Sequence, residues 1–300
     1  MEKITLSENL HLSRIVLGLW RVTDWGISPK DLSTYINQAL EMGVSSMDLA
    51  DIYGDYECEN LFGDALSHDP SLRDKLEVIT KCGIKLTSGK YPKREMNHYD
   101  TSYAHIIGSA EESLKKLKTD RIDLLLIHRP DPLMDPAEVA KAFDDLSQSG
   151  KVLNFGVSNF TPMQYEMLAC HFSGKLVTNQ VEISPYCVEH FQNENIEFFL
   201  KEGIKPMAWS PLAGGQIFKP KDAKGIRVKA QLEQVAKQVE ATGIDEVAYA
   251  WLLMHPAKIM PIVGSGKLER LRVAIEAEKL ELTREMWYKI LVAAQGFPMP

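Results

Sequence analysis

The 300-residue sequence lacks nearly every mark of a membrane, secreted or nucleic-acid-binding chain. Apolar runs such as Leu124 to Ile127 are far short of the roughly 20 residues needed to span a bilayer. The opening MEKITLSENL has no cationic segment followed by an apolar one, so no secretory leader is expected and the cytoplasm is the default compartment. Only four cysteines occur, Cys58, Cys82, Cys170 and Cys187. None forms a C-x-x-C pair or has zinc-ligand spacing with histidine, so they read as free thiols, with no disulfide framework and no metal. A basic stripe is also missing. The net charge is −7 and the pI about 5.7, which argues against nucleic acid or an anionic membrane as partner. No low-complexity tract or Pro/Gly-rich linker divides the chain, and a single domain over 1–300 is expected. No G-x-G-x-x-G follows a strand, so a Rossmann-type dinucleotide site is not supported.

What is present is an alternation of short apolar runs with helical patterns. Residues 3–20 begin as a hairpin around Ser7-Glu8-Asn9, followed by a buried strand at Ile15–Trp20. Ser28-Pro29 opens a helix to about Met42, with Gly43 where a C-terminal glycine belongs. Further strands are read at Val44–Asp48, Leu76–Lys81, Ile122–His128, Val152–Val157, Leu176–Val181, Ile204–Trp209 and Ile259–Val263. Helices between them are read at Cys58–Leu66, Tyr103–Lys118, Pro136–Gln148, Thr161–His171, Val188–Lys201, Val228–Thr242 and Asp245–Met254. Two more begin near Leu268 and cover Thr283–Ala294. Strands without sustained alternation, each followed by a helix, indicate parallel strands covered on both faces. Eight such units predict an α/β (β/α)8 barrel; an open doubly wound sheet is the alternative. Gly83–Thr101 lacks periodicity and reads as a long loop on the face where a barrel carries its active site.

The residues that end these strands are chemically unusual. Asp48 ends the second strand, with Tyr53 in the loop behind it; Lys81 ends the third and His128 the fourth. Strand five runs into Ser158-Asn159, strand six into Asn179-Gln180 and strand seven into Trp209-Ser210. Taken singly, an Asp before a loop is an ordinary cap, a Lys after a strand a solvated end, and a His after LLLI a satisfied core histidine. Together, on consecutive strands of one barrel, they have another reading. Buried ionic groups are expensive unless paired, and a paired Asp–Lys–Tyr–His cluster is also catalytic. Asp48 would keep Lys81 charged, Lys81 would lower the Tyr53 pKa from near 10, and His128 would orient a substrate oxygen.

In this order, the segments DLADIYG, TKCG, LLLIHRP, FGVSNF, NQVEISPY and AWSPLAGG resemble the aldo-keto reductase superfamily. Within it, the chain looks like the bacterial oxidoreductase branch that carries LLLIHRPDPLMD and NQVEISP. The resemblance covers essentially the whole chain and implies a barrel closed at the bottom by the N-terminal hairpin, with extra C-terminal helices. It implies NADP(H)-dependent reduction of a small-molecule carbonyl, with Tyr53 as proton donor, Lys81 and Asp48 as its tuning pair, and His128 as orienting group. Ser158, Asn159 and Gln180 match the side chains that hold the nicotinamide carboxamide. Trp209 matches the stacking aromatic, and Ser210, Leu212 and Gly214 the pyrophosphate loop. In PIVGSGKLERL, Ser265, Gly266, Lys267 and Arg270 match the loop for the adenosine 2′-phosphate, and a glycine-flanked helix start with two cations suits a phosphate.

Two departures from the family pattern stand out. Val273 and Ala274 replace the Glu and Asn that many relatives direct at adenine. The Ala213–Lys229 loop is short, so no long belt is expected over the cofactor. Trp20, Trp25, Tyr56, His98, Tyr99 and Arg129 are substrate-pocket candidates, and their aromatics suggest a small apolar or aromatic carbonyl. A monomer or weak homo-oligomer is expected. The rival readings are an NADPH-binding sensor subunit with little turnover and a Schiff-base lyase or isomerase using Lys81.

Overall fold

The computed structural model describes residues 1–300. Strands β1 (Lys3–Ser7) and β2 (Leu10–Ser13) form an antiparallel hairpin. Eight parallel strands follow and close into a barrel: β3 (Val16–Gly18), β4 (Ser46–Asp48), β5 (Glu77–Cys82), β8 (Leu124–Ile127), β9 (Phe155–Ser158), β10 (Leu176–Glu182), β11 (Met207–Trp209) and β12 (Met260–Val263). Pairing of Val16 with Ile262 and Leu17 with Val263 joins the first strand to the last. The remaining two, β6 (Ile84–Lys85) and β7 (His98–Tyr99), pair antiparallel outside the barrel. The fold is a (β/α)8 TIM barrel.

The helices are α1 (Pro29–Glu41), α2 (Tyr53–Tyr56), α3 (Cys58–His68), α4 (Tyr103–Leu117), α5 (Pro136–Gln148), α6 (Pro162–Ala169), α7 (Asn195–Glu202), α8 (Ala223–Gln238), α9 (Ile244–Leu253), α10 (Leu268–Glu276) and α11 (Arg284–Gln295). Their starts follow the capping chemistry in the sequence. Ser28, Ser102, Asp135, Thr161, Asp222 and Thr283 each accept a first-turn backbone N–H, and proline fills the first position of α1, α5 and α6. Helices α3 and α4 approach closely at Gly63, where an added Cβ would strike the backbone of Lys116 and Leu117. Only glycine fits that crossing.

Two hydrophobic layers result. A large one fills the space between strands and helices. A smaller one fills the barrel lumen with Val16, Ile79, Leu124, Leu126, Met207, Met260 and Ile262, sealed below by Ile4, Leu6, Leu10 and Leu12 of the hairpin. Side chains alternate along a strand, so the lumen residues fix what lies above them. Ile79 puts Lys81 inward, Leu126 puts His128 inward and Met207 puts Trp209 inward. The polar strand ends thus form the layer above an apolar floor.

The structure corrects several expectations. The helix read at Val188–Lys201 is interrupted: a 3-10 turn covers Glu189–Phe191, and α7 starts only at Asn195. Glu194 adopts φ 67° there, and the buried Asn195 amide bonds the His190 ring at 2.8 Å. The local polar pair outweighs helical continuity. Helix α8 starts at Ala223 rather than Val228, because Asp222 caps it through the Gly225 N–H at 2.7 Å. The Gly83–Thr101 segment is not structureless, since it folds back through β6 and β7.

Candidate active site

The site is built on the C-terminal ends of the barrel strands, around a cleft of about 880 Å³. Lys81 is fully buried at the end of β5. Its ammonium donates to both Asp48 oxygens (2.8 and 2.9 Å), to the Leu49 carbonyl (2.6 Å) and to the Tyr53 hydroxyl (3.1 Å). Gln180 adds a second donor to Asp48 Oδ1 at 2.8 Å. The buried charges are therefore both paired and hydrogen-bonded, the condition under which such a pair is tolerated. Burial drives the Lys81 pKa down, but Asp48 and Tyr53 more than offset it, and the ammonium stays charged.

Tyr53 reaches Lys81 through a distorted turn. Gly54, Asp55 and Tyr56 follow it with φ of 57°, 53° and 68°. Left-handed geometry is strained for a bulky residue such as Tyr56. Tyr56 is held there by its hydroxyl, which accepts from Leu86 N (2.9 Å) and Arg94 Nη1 (2.7 Å). The sequence suggested a lowered Tyr53 pKa, but the net shift is upward. Burial raises it most, Lys81 lowers it as expected, and Asp48 raises it again. The lysine acts in the anticipated direction but does not outweigh the loss of water.

His128 lies edge-on to Tyr53, with ring centroids 5.7 Å apart. Burial, then the charges of Lys81 and Arg129, push its imidazole well below the ordinary 6.5, so it is neutral at pH 7. Its buried Nδ1 has no hydrogen-bond partner. Buried orphan groups are uncommon and call for an explanation, a catalytic role among them.

The other predicted residues divide into two groups. Ser158, Asn159, Gln180, Trp209, Ser210, Leu212, Gly214, Ser265, Arg270, Trp20 and Arg129 all line the cleft. Asn159 ties this wall together from φ 63°: its amide donates to Ser158 Oγ (2.8 Å) and to the His128 carbonyl (3.3 Å), and its Oδ1 accepts from Trp209 Nε1 (3.0 Å). Gly266, Lys267, Trp25, Tyr56 and His98 do not line it. Gly266 lies against the Trp25 indole, which packs edge-on to Tyr35 behind the loop. Lys267 is the residue before α10 and donates its backbone N–H to Ser265 Oγ at 3.2 Å. Tyr56 is turned inward, while His98 and Tyr99 are exposed on β7. Ala274 is buried in the core, and neither it nor Val273 reaches the cleft. Sequence reasoning missed Arg21, Phe218, Lys219, Asp245 and Tyr249, which do line it. Arg21 beside Trp20 was findable; the two α9 residues carry no local signal.

A second acidic group lies behind the turn. Asp51 and Glu59 are buried; Ser109 donates to Asp51 (2.8 Å) and Thr80 to Glu59 (2.6 Å), while one oxygen of each has no partner. Burial, and then the Glu59 carboxylate, push Asp51 from 3.8 up to about 7, against smaller lowering by Ser109, the Ile52 N–H and Lys116. The folded state therefore holds a proton that the unfolded chain releases. That contribution to stability is fully present below pH 3.8 and is lost as pH rises through about 7. Asp51→Asn is expected to remove this loss. In denaturant titrations the variant should gain a few kcal/mol on the wild type between about pH 4 and pH 8. Parallel stability profiles for the two proteins would contradict it.

The profile of the Aldo/keto reductase family matches residues 14–293. The chain belongs to this family. It is an oxidoreductase, and aldo-keto reductases generally use NAD(P)H. This aldo-keto reductase is 49% identical over the full length of both chains to the uncharacterized oxidoreductase YcsN of Bacillus subtilis. It is 44% identical, over 99% of both chains, to the 6-dehydroglucose reductase of Agrobacterium fabrum. Among solved structures, the thermostable aldo-keto reductase Tm1743, in complex with the inhibitor epalrestat, matches with TM-score 0.81 and 25% identity. That match covers 98% of this chain and all of the other. No helix of this aldo-keto reductase is long and apolar enough to cross a membrane.

Proposed function

We propose that this aldo-keto reductase reduces aldehydes and ketones to alcohols with NADPH as hydride source and Tyr53 as general acid. One observation carries the reading: the buried Lys81 ammonium, locked to Asp48, donates to the hydroxyl of Tyr53 at the floor of a cleft, with neutral His128 beside it.

The lining fits the cofactor by its own chemistry. Trp209 offers an aromatic face, Ser158, Asn159 and Gln180 a polar wall, and Arg270 an unpaired cation for a phosphate. The cleft lies within the ~300–1,000 Å³ typical of small-molecule sites. When bound, a reduced nicotinamide supplies hydride to the carbonyl carbon. The chain's residues manage the oxygen. His128, being neutral, donates an N–H to the carbonyl oxygen and orients it. Tyr53 passes its proton to that oxygen as negative charge develops, and the resulting phenolate is stabilised by Lys81. Asp48 and the Leu49 carbonyl hold Lys81 in place. This positioned proton transfer suits the ~10²–10⁴-fold acceleration general acids provide.

The mouth of the cleft supports a hydroxylated substrate over an apolar one. Trp20 is 55% exposed, with the Arg21 guanidinium 4.6 Å from its ring centre. Arg129 sits 5.7 Å from the Trp209 ring centre. Of the aromatics that suggested an apolar carbonyl, Trp25, Tyr56 and Tyr99 lie outside the cleft, and Trp20 remains in its lining. The name of the Agrobacterium relative points the same way. With NADPH, a hexose carrying an aldehyde at its last carbon is expected to give kcat/KM at least about tenfold above benzaldehyde, the value of one good hydrogen bond. The reverse order would rule out the sugar-type substrate, and no turnover of either would favour a sensor subunit.

A further inference from the structure

We propose that Asp245 sets the choice between cofactors with and without a 2′-phosphate, and that it leaves this chain able to bind NADH as well as NADPH. The inference rests on the reading above in one respect: that the side of the cleft lined by Ser265 and Arg270 receives the adenosine ribose.

Helix α9 starts Ile244-Asp245-Glu246, with Gly243 before it. Two acids in a first turn are ordinarily explained by the positive end of the helix dipole. Here their duties are separate. Glu246 is buried and ties down the chain before the helix, accepting from the Thr242 N–H and the Thr242 hydroxyl, both at 2.7 Å. Asp245 makes no hydrogen bond and no ion pair, and it lines the cleft with Ser265, Arg270 and Tyr249. Arg270 has no salt-bridge partner either. Burial raises the Tyr249 pKa most, Asp245 raises it further and Arg270 lowers it, so both charges are felt at this hydroxyl.

Those charges recognise different things. A guanidinium takes a 2′-phosphate through charge-assisted bonds. A carboxylate accepts hydrogen bonds from ribose hydroxyls and repels a phosphate in the same place. The cationic side is also thinner than the sequence implied, because Lys267 does not line the cleft. With Asp245 in the same lining as Arg270, the net preference for the phosphate is weakened.

Isothermal titration of the intact protein with NADPH and with NADH tests this without relying on turnover. In the wild type the two dissociation constants should agree within about tenfold. Asp245→Asn should tighten NADPH by about tenfold and leave NADH unchanged or weaker. Asp245→Glu, which keeps the charge, should retain the wild-type ratio. A wild type that prefers NADPH by about a thousandfold, or an Asp245→Asn variant with an unaltered ratio, would overturn the proposal while leaving the reductase reading intact. Failure of both cofactors to bind would overturn the two together.

Discussion

Tyr53→Phe is expected to lower kcat for carbonyl reduction by about 10²–10⁴-fold while leaving NADPH affinity within about twofold of the wild type. The substitution removes one oxygen and little else. The ring keeps its contacts with His128, 5.7 Å away, and Trp20, 6.4 Å away. The strained Gly54–Tyr56 turn is anchored by the Tyr56 hydroxyl and not by Tyr53. Lys81 loses one of four acceptors and keeps its bonds to Asp48 and Leu49. A loss confined to kcat would therefore report the missing proton. Steady-state kinetics and a calorimetric NADPH titration separate chemistry from binding. Turnover near the wild-type rate would remove Tyr53 from the mechanism, and an equal loss of affinity would make its role structural.

Lys81→Met is expected to be as inactive and, unlike the tyrosine variant, markedly less stable. Methionine matches the lysine stem in length, so the effect is chiefly one of charge. Asp48 would be left as a buried anion with only the Gln180 amide to satisfy it. Breaking a buried ion pair from one side costs about 3–5 kcal/mol. Adding Asp48→Asn should return most of that stability, because the uncompensated charge is gone, but should return no activity, because Tyr53 still has no cation beside it. Denaturant unfolding and kcat, measured on the single and double variants, distinguish the two effects. If the double variant regained turnover, Lys81 would be acting only as a structural counter-ion. If Lys81→Met alone stayed fully stable, the pair would not be buried as described.

Much of this was legible in the sequence, for identifiable reasons. The strand-then-helix rhythm and the apolar strands gave the barrel, and Ser28-Pro29 gave the start of α1. Asp48, Lys81 and His128 were conspicuous because each ends an apolar run, where an isolated charge is expensive. What was not legible depended on sums or on distance along the chain. The direction of the Tyr53 shift is a contest between burial, Lys81 and Asp48, and sequence supplies the participants but not their weights. The break before α7 comes from the His190–Asn195 contact, which a helical pattern conceals. Trp25 and Lys267 have suitable chemistry but do not line the cleft. Asp245 and Tyr249 reach it from a helix with no motif of its own. The separate duties of Asp245 and Glu246 emerge only once their partners are known.

The central claim is that hydride passes from a nicotinamide to a carbonyl carbon in the cleft above Lys81. The most direct measurement supplies NADPH deuterated at its transferable hydride position, together with a sugar-type aldehyde, and reads the alcohol product by mass spectrometry. The account predicts product carrying one deuterium on the former carbonyl carbon with the wild type, and essentially none formed by Tyr53→Phe in the same time. Alcohol product without deuterium, or tight NADPH binding with no product from any aldehyde tried, would contradict it.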